Sequence, residues 1–295
     1  MSDFRLAHIS DLHLPPASVT GWADLAPKRL LSRFAWRRKR RRHRPEVLAA
    51  IVADLKAQAP DHVAITGDLT NFSTAQEFAA ARAWLERLGP ADSITVSPGN
   101  HDALVGRGGA ERFSAWTPWL GDEGAAAFPQ VRRRGAVALV NLCSAIPTAP
   151  HLAQGALGQG QLDRLRPMLR RLGEERLCRV VLLHHAPAPG AASRRKALRD
   201  APALLSILKE EGAELVLHGH VHTAALAAVP GPHGAIPMLG APSASAAGGH
   251  DPARWHGLEI ARQGEGWSVR VIARGLAADG SVEEKGRYLL HTPQR

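Results

Sequence analysis

Five short polar motifs punctuate this chain, and between them they carry side chains from which a metal site can be built. In chain order they are DLH (Asp11–His13), GDLTN (Gly67–Asn71), GNHD (Gly99–Asp102), HH (His184–His185) and GHVH (Gly219–His222). Carboxylate, imidazole and amide oxygen make a mixed nitrogen and oxygen donor set, suited to Mn2+, Fe or Zn2+ rather than to a soft thiolate site. Asp11, His13, Asp68, Asn100, one of the adjacent pair His184 and His185, His220 and His222 give seven donors. That is too many for one catalytic ion that must keep a position open, and two ions sharing a carboxylate fit better. Two metals about 3.5–4 Å apart form the clamp used for in-line displacement at phosphorus. A lone D-x-H, G-D or G-H-x-H is ordinary; the ordered recurrence of all five carries the weight.

The elements that must position these motifs are strands. Apolar runs at Phe4–Leu14, His62–Leu69, Ser93–Ser97, Ala136–Leu142, Arg179–His184 and Glu214–His218 alternate with helical patterns at Glu46–Gln58, Thr74–Leu88, Gly160–Leu172 and Ala201–Glu211. Such alternation predicts a mainly parallel sheet with crossover helices. The motifs then fall at the carboxyl ends of strands, where open α/β sheets collect their ligands. The i, i+2 spacing of Asp11 with His13, and of His220 with His222, predicts one shared strand face for each pair. After Val221 the runs AIPMLGAPSAS, RWHGLEIARQ and GWSVRVIARGL predict antiparallel strands joined at glycines. Residues 15–45 and 103–135 fit neither scheme and read as insertions in one domain spanning 1–295.

The ordered motif set resembles the calcineurin-like metallophosphoesterase superfamily, in style nearest its bacterial branch that includes cyclic-nucleotide phosphodiesterases. The resemblance covers roughly residues 4–225 and implies an α/β fold, a four-layer α/β/β/α sandwich, around a dinuclear centre. Carried over position by position, it gives one ion Asp11, His13, His222 and a bridging Asp68. The other ion takes Asp68, Asn100, His184 and His220. It favours His184 over His185 as ligand, leaving His185 to line the site; Asn71, beside the bridging aspartate, is a second candidate for substrate contact. His101 would protonate the leaving oxygen, oriented by a hydrogen bond to Asp102. A metal-bridging hydroxide would attack phosphorus. The enzyme so implied is a metal-dependent hydrolase of phosphoric esters, with phosphodiesters preferred. Its substrate would be a cyclic nucleotide or a lipid- or nucleotide-linked phosphodiester, and its cofactors two divalent ions, Mn2+ or Fe ahead of Zn2+.

The formal net charge of +10 is local rather than global. The ten Lys and Arg residues from Lys28 to Arg44 account for the whole excess of 37 basic over 27 acidic side chains. Between Pro27 and Pro45, a helix would align Leu30, Leu31, Phe34 and Ala35 as an apolar stripe and Arg29, Arg33, Arg37 and Arg40 on another face. With Trp22, Phe34 and Trp36 alongside, the cations suit an anionic membrane surface, at about 1 kcal/mol each near the bilayer. A structural role, with the apolar stripe packed on the body and the arginines solvated, ranks close behind; nucleic acid ranks third. The alternatives to this phosphoric ester hydrolase are a membrane-surface binding module with an incidental hydrolase site, or a metal-dependent nuclease tracking along the basic patch. No run has the apolar length of a bilayer span, and MSDFRLAHIS reads as a strand and not a signal peptide. Cys143 and Cys178 lie in apolar runs and suit buried reduced thiols, hence a cytoplasmic protein, peripheral at the inner membrane face if the basic segment binds there. Trp116 and Trp119 are expected to pack within the 103–135 insert, itself a natural place for a lid. His8 and His218 read as structural. His43, His62, His151, His233, His250, His256 and His291 default to surface or loop positions.

Overall fold

One-sided helices alternate with strands buried on both faces, and that alternation builds most of this molecule. The computed structural model describes residues 3–16, 27–39, 42–106, 110–123, 127–248 and 251–293; Trp22, Arg40, Arg41 and His250 lie outside the described residues. In chain order come β1 (Phe4–Ile9), α1 (Pro27–Lys39), α2 (Pro45–Ala57), β2 (His62–Ile65), α3 (Ala75–Leu88), β3 (Ile94–Val96), β4 (Gln130–Arg134) and β5 (Val137–Asn141). There follow α4 (Gln159–Glu174), β6 (Cys178–Leu182), α5 (Ala201–Glu211), β7 (Leu215–His218), β8 (Ala225–Gly231), β9 (Gly234–Gly240), β10 (Arg254–Gln263), β11 (Gly266–Leu276) and β12 (Val282–His291).

The strands form two six-stranded sheets, β12-β11-β10-β1-β2-β3 and β4-β5-β6-β7-β9-β8. In the first, β1, β2 and β3 run parallel while β10 to β12 extend the sheet antiparallel from β1. In the second, β5, β6, β7 and β9 are parallel, with β4 and β8 as antiparallel edges. Leu6, Leu258, Ile260 and Val269 of the first sheet pack directly against Leu139, Val180, Leu182 and Leu217 of the second. On its outer face the first sheet buries Ile9 and Ile65 against Ile51 and Leu55 of α2 and Leu85 of α3. The second buries Val140, Val181 and Val216 against Leu165 and Leu169 of α4 and Leu204 and Leu208 of α5. The result is a four-layer α/β/β/α sandwich.

Local chemistry sets the helix starts. Pro45 opens α2 at a first-turn position where its missing N–H costs nothing. Thr74 and Glu77 form a reciprocal capping box at α3. In the 103–135 stretch, Phe113, Trp116, Trp119 and Leu120 fill the core beneath α3 and residues 130–134 form β4.

Three of the histidines assigned by default to the surface are buried: His43, His62 and His256. His62 shares a 2.8 Å hydrogen bond with Thr95 Oγ1, and burial, helped by Arg132 and Arg134, lowers its pKa to about 3. Burial likewise lowers His256 to about 3, helped by Arg254 and His218. Between pH 6.5 and 3 the unfolded chain therefore takes up protons at these positions that the folded chain refuses, so stability falls as pH falls across that window. The expected slope is up to about 1.4 kcal/mol per pH unit for each group. Urea unfolding at pH 7 and pH 5 reads it, and in His62→Gln one group's share of the slope should vanish.

Candidate metal centre

The motif residues converge from loops, and the strand pleat is not what aims them. β1 stops at Ile9, short of the expected Leu14, and Asp11 and His13 follow it with left-handed backbones, φ 53° and 45°. Asp68, His220 and His222 share that conformation, at φ 56°, 72° and 57°. Non-glycine residues held there cost about 1 kcal/mol or more each, a strain that concentrates at functional sites. Backbone pairing holds the first loop against the second: Asp11 N–H donates to Gly67 O, His13 N–H to Asp68 O and Leu14 N–H to Leu69 O, each at 2.9 Å. Gly67 sits at φ 96°, and a Cβ there would lie 2.6 Å from His184 Nδ1. A Cβ on Gly99 would collide with the Asp68 carboxylate. The glycines of GD and GN thus leave room for the His184 ring and the Asp68 carboxylate.

Around Asp68 the expected donors gather in two groups. On one side His13 Nε2 lies 3.5 Å from His222 Nε2 and 4.0 Å from Asp68 Oδ2, while His222 Nε2 lies 3.0 Å from Asp11 Oδ1. Ligand atoms of Asp11, His13, Asp68 and His222 all fall within 4.8 Å of one another, a spacing that can hold a metal ion. On the other side His184 Nε2 is 3.4 Å from Asp68 Oδ2, 3.1 Å from Asn100 Oδ1 and 3.2 Å from His220 Nδ1. The remaining ring nitrogens are bonded outward: His184 Nδ1 to Thr66 O at 2.7 Å and His220 Nε2 to Lys196 O at 3.0 Å. Such bonds fix which nitrogen faces inward, as at metal-ligating imidazoles.

The electrostatics match the donor chemistry. Burial opposes ionisation of Asp11 and Asp68, but His222 beside the one and His184 beside the other hold both below the usual carboxylate range. Burial keeps His13 neutral, and burial with the nearby His184 lowers His220 to about 3. Burial works against charge on His184 too, yet Asp68 and Asp11 outweigh it and raise the pKa to about 9. Two buried carboxylates among imidazoles facing a common space form a set that divalent ions fit.

His101 and Asp102 lie where expected but are not joined as expected. The His101 ring turns Nδ1 to the Asn71 carbonyl oxygen at 2.9 Å. Asp102 instead accepts backbone N–H bonds from Gly99 (2.8 Å), Asp68 (3.0 Å) and Thr70 (2.8 Å), with the Thr70 hydroxyl at 3.0 Å. The predicted Asp102–His101 hydrogen bond is therefore replaced by a carboxylate that pins two loops together. Burial and the neighbouring Asp68 push Asp102 up to about 7. His185 is fully buried, its nitrogens on Ser144 Oγ (2.8 Å) and Ala153 O (3.3 Å), so it supports the loop rather than facing substrate. Asn71 lines the cleft, with its amide nitrogen on Leu14 O at 2.6 Å.

Above these groups opens a cleft of about 420 Å³ whose wall includes α1. The packing of α1 reverses the structural expectation for it. Lys28 Nζ bonds Thr148 O (2.8 Å), Thr148 Oγ1 (2.7 Å) and Leu152 O (3.3 Å); Arg29 bonds Phe72 O (2.9 Å) and Ser73 O (2.6 Å). Leu30, Leu31 and Phe34 face outward, 44%, 47% and 68% exposed. His43, just past α1, is buried with its ring 4.4 Å from that of His13. No spacing motif ties it to the other donors; its only signal is a place just before Pro45, where the chain must turn from one helix to the next.

The family described as calcineurin-like phosphoesterase matches residues 4–224, a span holding every donor described above. A probable cyclic nucleotide phosphodiesterase of Synechococcus sp. is 29% identical over 278 residues, covering 90% of this chain and 91% of that protein. A dimetal phosphatase from Danio rerio superposes with a TM-score of 0.63 at 12% identity, over 95% of this chain and 98% of its own. A purple acid phosphatase from yellow lupin (Lupinus luteus) seeds does so with a TM-score of 0.57 at 12% identity, over 98% of this chain and 53% of its own. The two structures share the fold, and the family match reaches the donors themselves: the chain belongs to the calcineurin-like phosphoesterase family and is a dinuclear, metal-dependent hydrolase of phosphoric esters.

Proposed function

We propose that this hydrolase cleaves phosphodiesters presented at an anionic membrane surface, the diester being part of an amphiphile. The observation that carries this is α1, whose cations clamp the loops around the cleft while Leu30, Leu31 and Phe34 face outward, Leu31 on the cleft wall itself. An apolar rim beside cationic residues is the arrangement that adsorbs to the headgroup boundary of anionic lipids. Leu31 belongs to both surfaces, lining the cleft and reaching outside it. Among the described residues no helix is long and apolar enough to cross a membrane, so attachment would be peripheral.

In this reading Asp11, His13, Asp68 and His222 hold one ion, and Asp68, Asn100, His184 and His220 the other. When bound, two divalent ions supply Lewis-acid polarisation of the phosphoryl oxygens. The chain's own groups do the rest. Lys28, Arg42 and Lys196 in the cleft wall attract the diester anion. With Nδ1 on the Asn71 carbonyl, His101 is left with Nε2 to protonate the leaving oxygen. Asp102 positions both loops through their backbone. A second reading, a cyclic nucleotide in the same cleft, is favoured by the name of the Synechococcus relative.

Vesicle flotation separates the two. The double variant Leu30→Glu/Phe34→Glu gives up roughly 1.5–3 kcal/mol of burial per side chain. Its partition onto phosphatidylglycerol vesicles should fall at least about 100-fold, while hydrolysis of soluble bis(p-nitrophenyl) phosphate stays within about twofold of wild type. Unchanged flotation, or no flotation by the wild type together with rapid cleavage of cyclic AMP, rejects the membrane reading in favour of the nucleotide one.

A further inference from the structure

His43 is held as a metal ligand is held, although none of the five motifs contains it. Its backbone is bridged to Ala246, with Arg44 N–H donating to Ser245 O at 2.9 Å and Ala247 N–H to Arg42 O at 2.7 Å. Its ring is fixed on two further sides. Nδ1 lies 2.9 Å from Ser245 Oγ and 3.3 Å from Ser243 Oγ, and the Ser243 hydroxyl donates to the Asp11 carbonyl oxygen at 2.6 Å. The Trp36 indole stacks on the imidazole at 5.6 Å and 11°. One short loop therefore orients both Asp11 and His43.

The ring sits 4.4 Å from that of His13 and 5.6 Å from that of His222, centroid to centroid. Ligand nitrogens of His13, His43 and His222 lie within 4.8 Å of one another, as do the ligand atoms of Asp11, His13, Asp68 and His222. The same two histidines are thus shared between a carboxylate-rich set and an all-imidazole set. We propose that His43 is a further ligand at the ion position framed by His13 and His222, and that it biases this position toward a zinc-class cation. The proposal rests on the two-ion centre argued above. Its chemical reason is that imidazole donors suit Zn2+, Ni2+ and Cu2+, whereas carboxylate and water suit Mn2+. A third imidazole moves the position from an even mixture of donors toward nitrogen. The serine hydroxyls hold Nδ1, so Nε2 is the nitrogen that would bind the ion, the positioning role such outer partners play at metal sites.

Chelator-buffered equilibrium dialysis against Zn2+ and against Mn2+, with bound metal counted by mass spectrometry, tests this on the full chain. Wild type should hold two ions. In His43→Gln the Zn2+ affinity of one position should fall about 10–100-fold, while Mn2+ affinity changes less than about threefold. Unchanged Zn2+ affinity together with an unchanged visible spectrum of the Co2+-loaded variant overturns the proposal. If the variant does not fold, the Co2+-loaded wild type decides: hyperfine-shifted ring N–H signals from five ligating histidines support His43, and four overturn it. Fewer than two ions bound by the wild type is a different result, which overturns the two-ion centre and this ligand with it.

Discussion

Replacing Asp68 with Asn should lower hydrolysis of bis(p-nitrophenyl) phosphate by about 10³-fold or more, because in the proposed two-ion centre several kcal/mol of charge stabilisation depend on Asp68 serving both ions. The same variant should hold no more than one ion per chain by mass spectrometry. The expectation follows from where the carboxylate stands, with Oδ2 4.0 Å from His13 Nε2 and 3.4 Å from His184 Nε2. Asn is a sparing replacement. Its amide oxygen can still accept the His101 backbone N–H that Asp68 Oδ1 accepts at 2.8 Å, so the loop keeps its shape. The variant removes one negative charge from a buried site and puts N–H groups where a cation must sit, while the core stays as it was. Near-ultraviolet circular dichroism should match wild type. Two bound ions and activity within tenfold of wild type would show that Asp68 is not shared.

The chemistry of this site was legible in the sequence because side-chain type is local, whereas its geometry was not. Asp11, His13, Asp68, Asn100, His220 and His222 are identifiable from the motifs, with the family resemblance choosing His184 over His185, and they meet around one point. The reason given for their meeting was incomplete. An i, i+2 pair on a strand would share a face through the pleat, but β1 ends before Asp11, and left-handed backbones turn these pairs inward. Nothing in the letters D-L-H distinguishes those two geometries. The orientation of α1 was hidden for a related reason. Periodicity defines a stripe of Leu30, Leu31 and Phe34, but which face is buried depends on what the other face can bond. The carbonyls of Phe72, Ser73 and Thr148 that capture Lys28 and Arg29 exist as an array only in the folded chain. β4 was missed because QVRRR lacks apolar alternation. Arg132 is buried there all the same, its guanidinium bonded to the carbonyls of Pro118 and Gly121. His43 depends on a serine loop near the other end of the chain, a dependence no local spacing reveals.

The role argued for His101 predicts an effect that depends on the leaving group, which separates proton donation from phosphate binding. An alkoxide departs as a strong base and needs a proton in the transition state; p-nitrophenolate does not. His101→Gln should therefore lower kcat by about 10²–10⁴-fold on a diester with an alkyl leaving group. On bis(p-nitrophenyl) phosphate the loss should stay below about tenfold. Metal content should remain at wild-type level, because the ring's Nδ1 bonds the Asn71 carbonyl and the ligand set is left in place. Asp102→Asn should not reproduce this pattern. Its carboxylate bonds the backbone of Gly99, Asp68 and Thr70, so its loss should disturb the loops that carry Asp68 and Asn100 and slow both substrates alike. A His101→Gln variant that loses the same factor on both substrates would place this imidazole on the phosphoryl oxygens instead, and the leaving oxygen would then need its proton from elsewhere in the cleft.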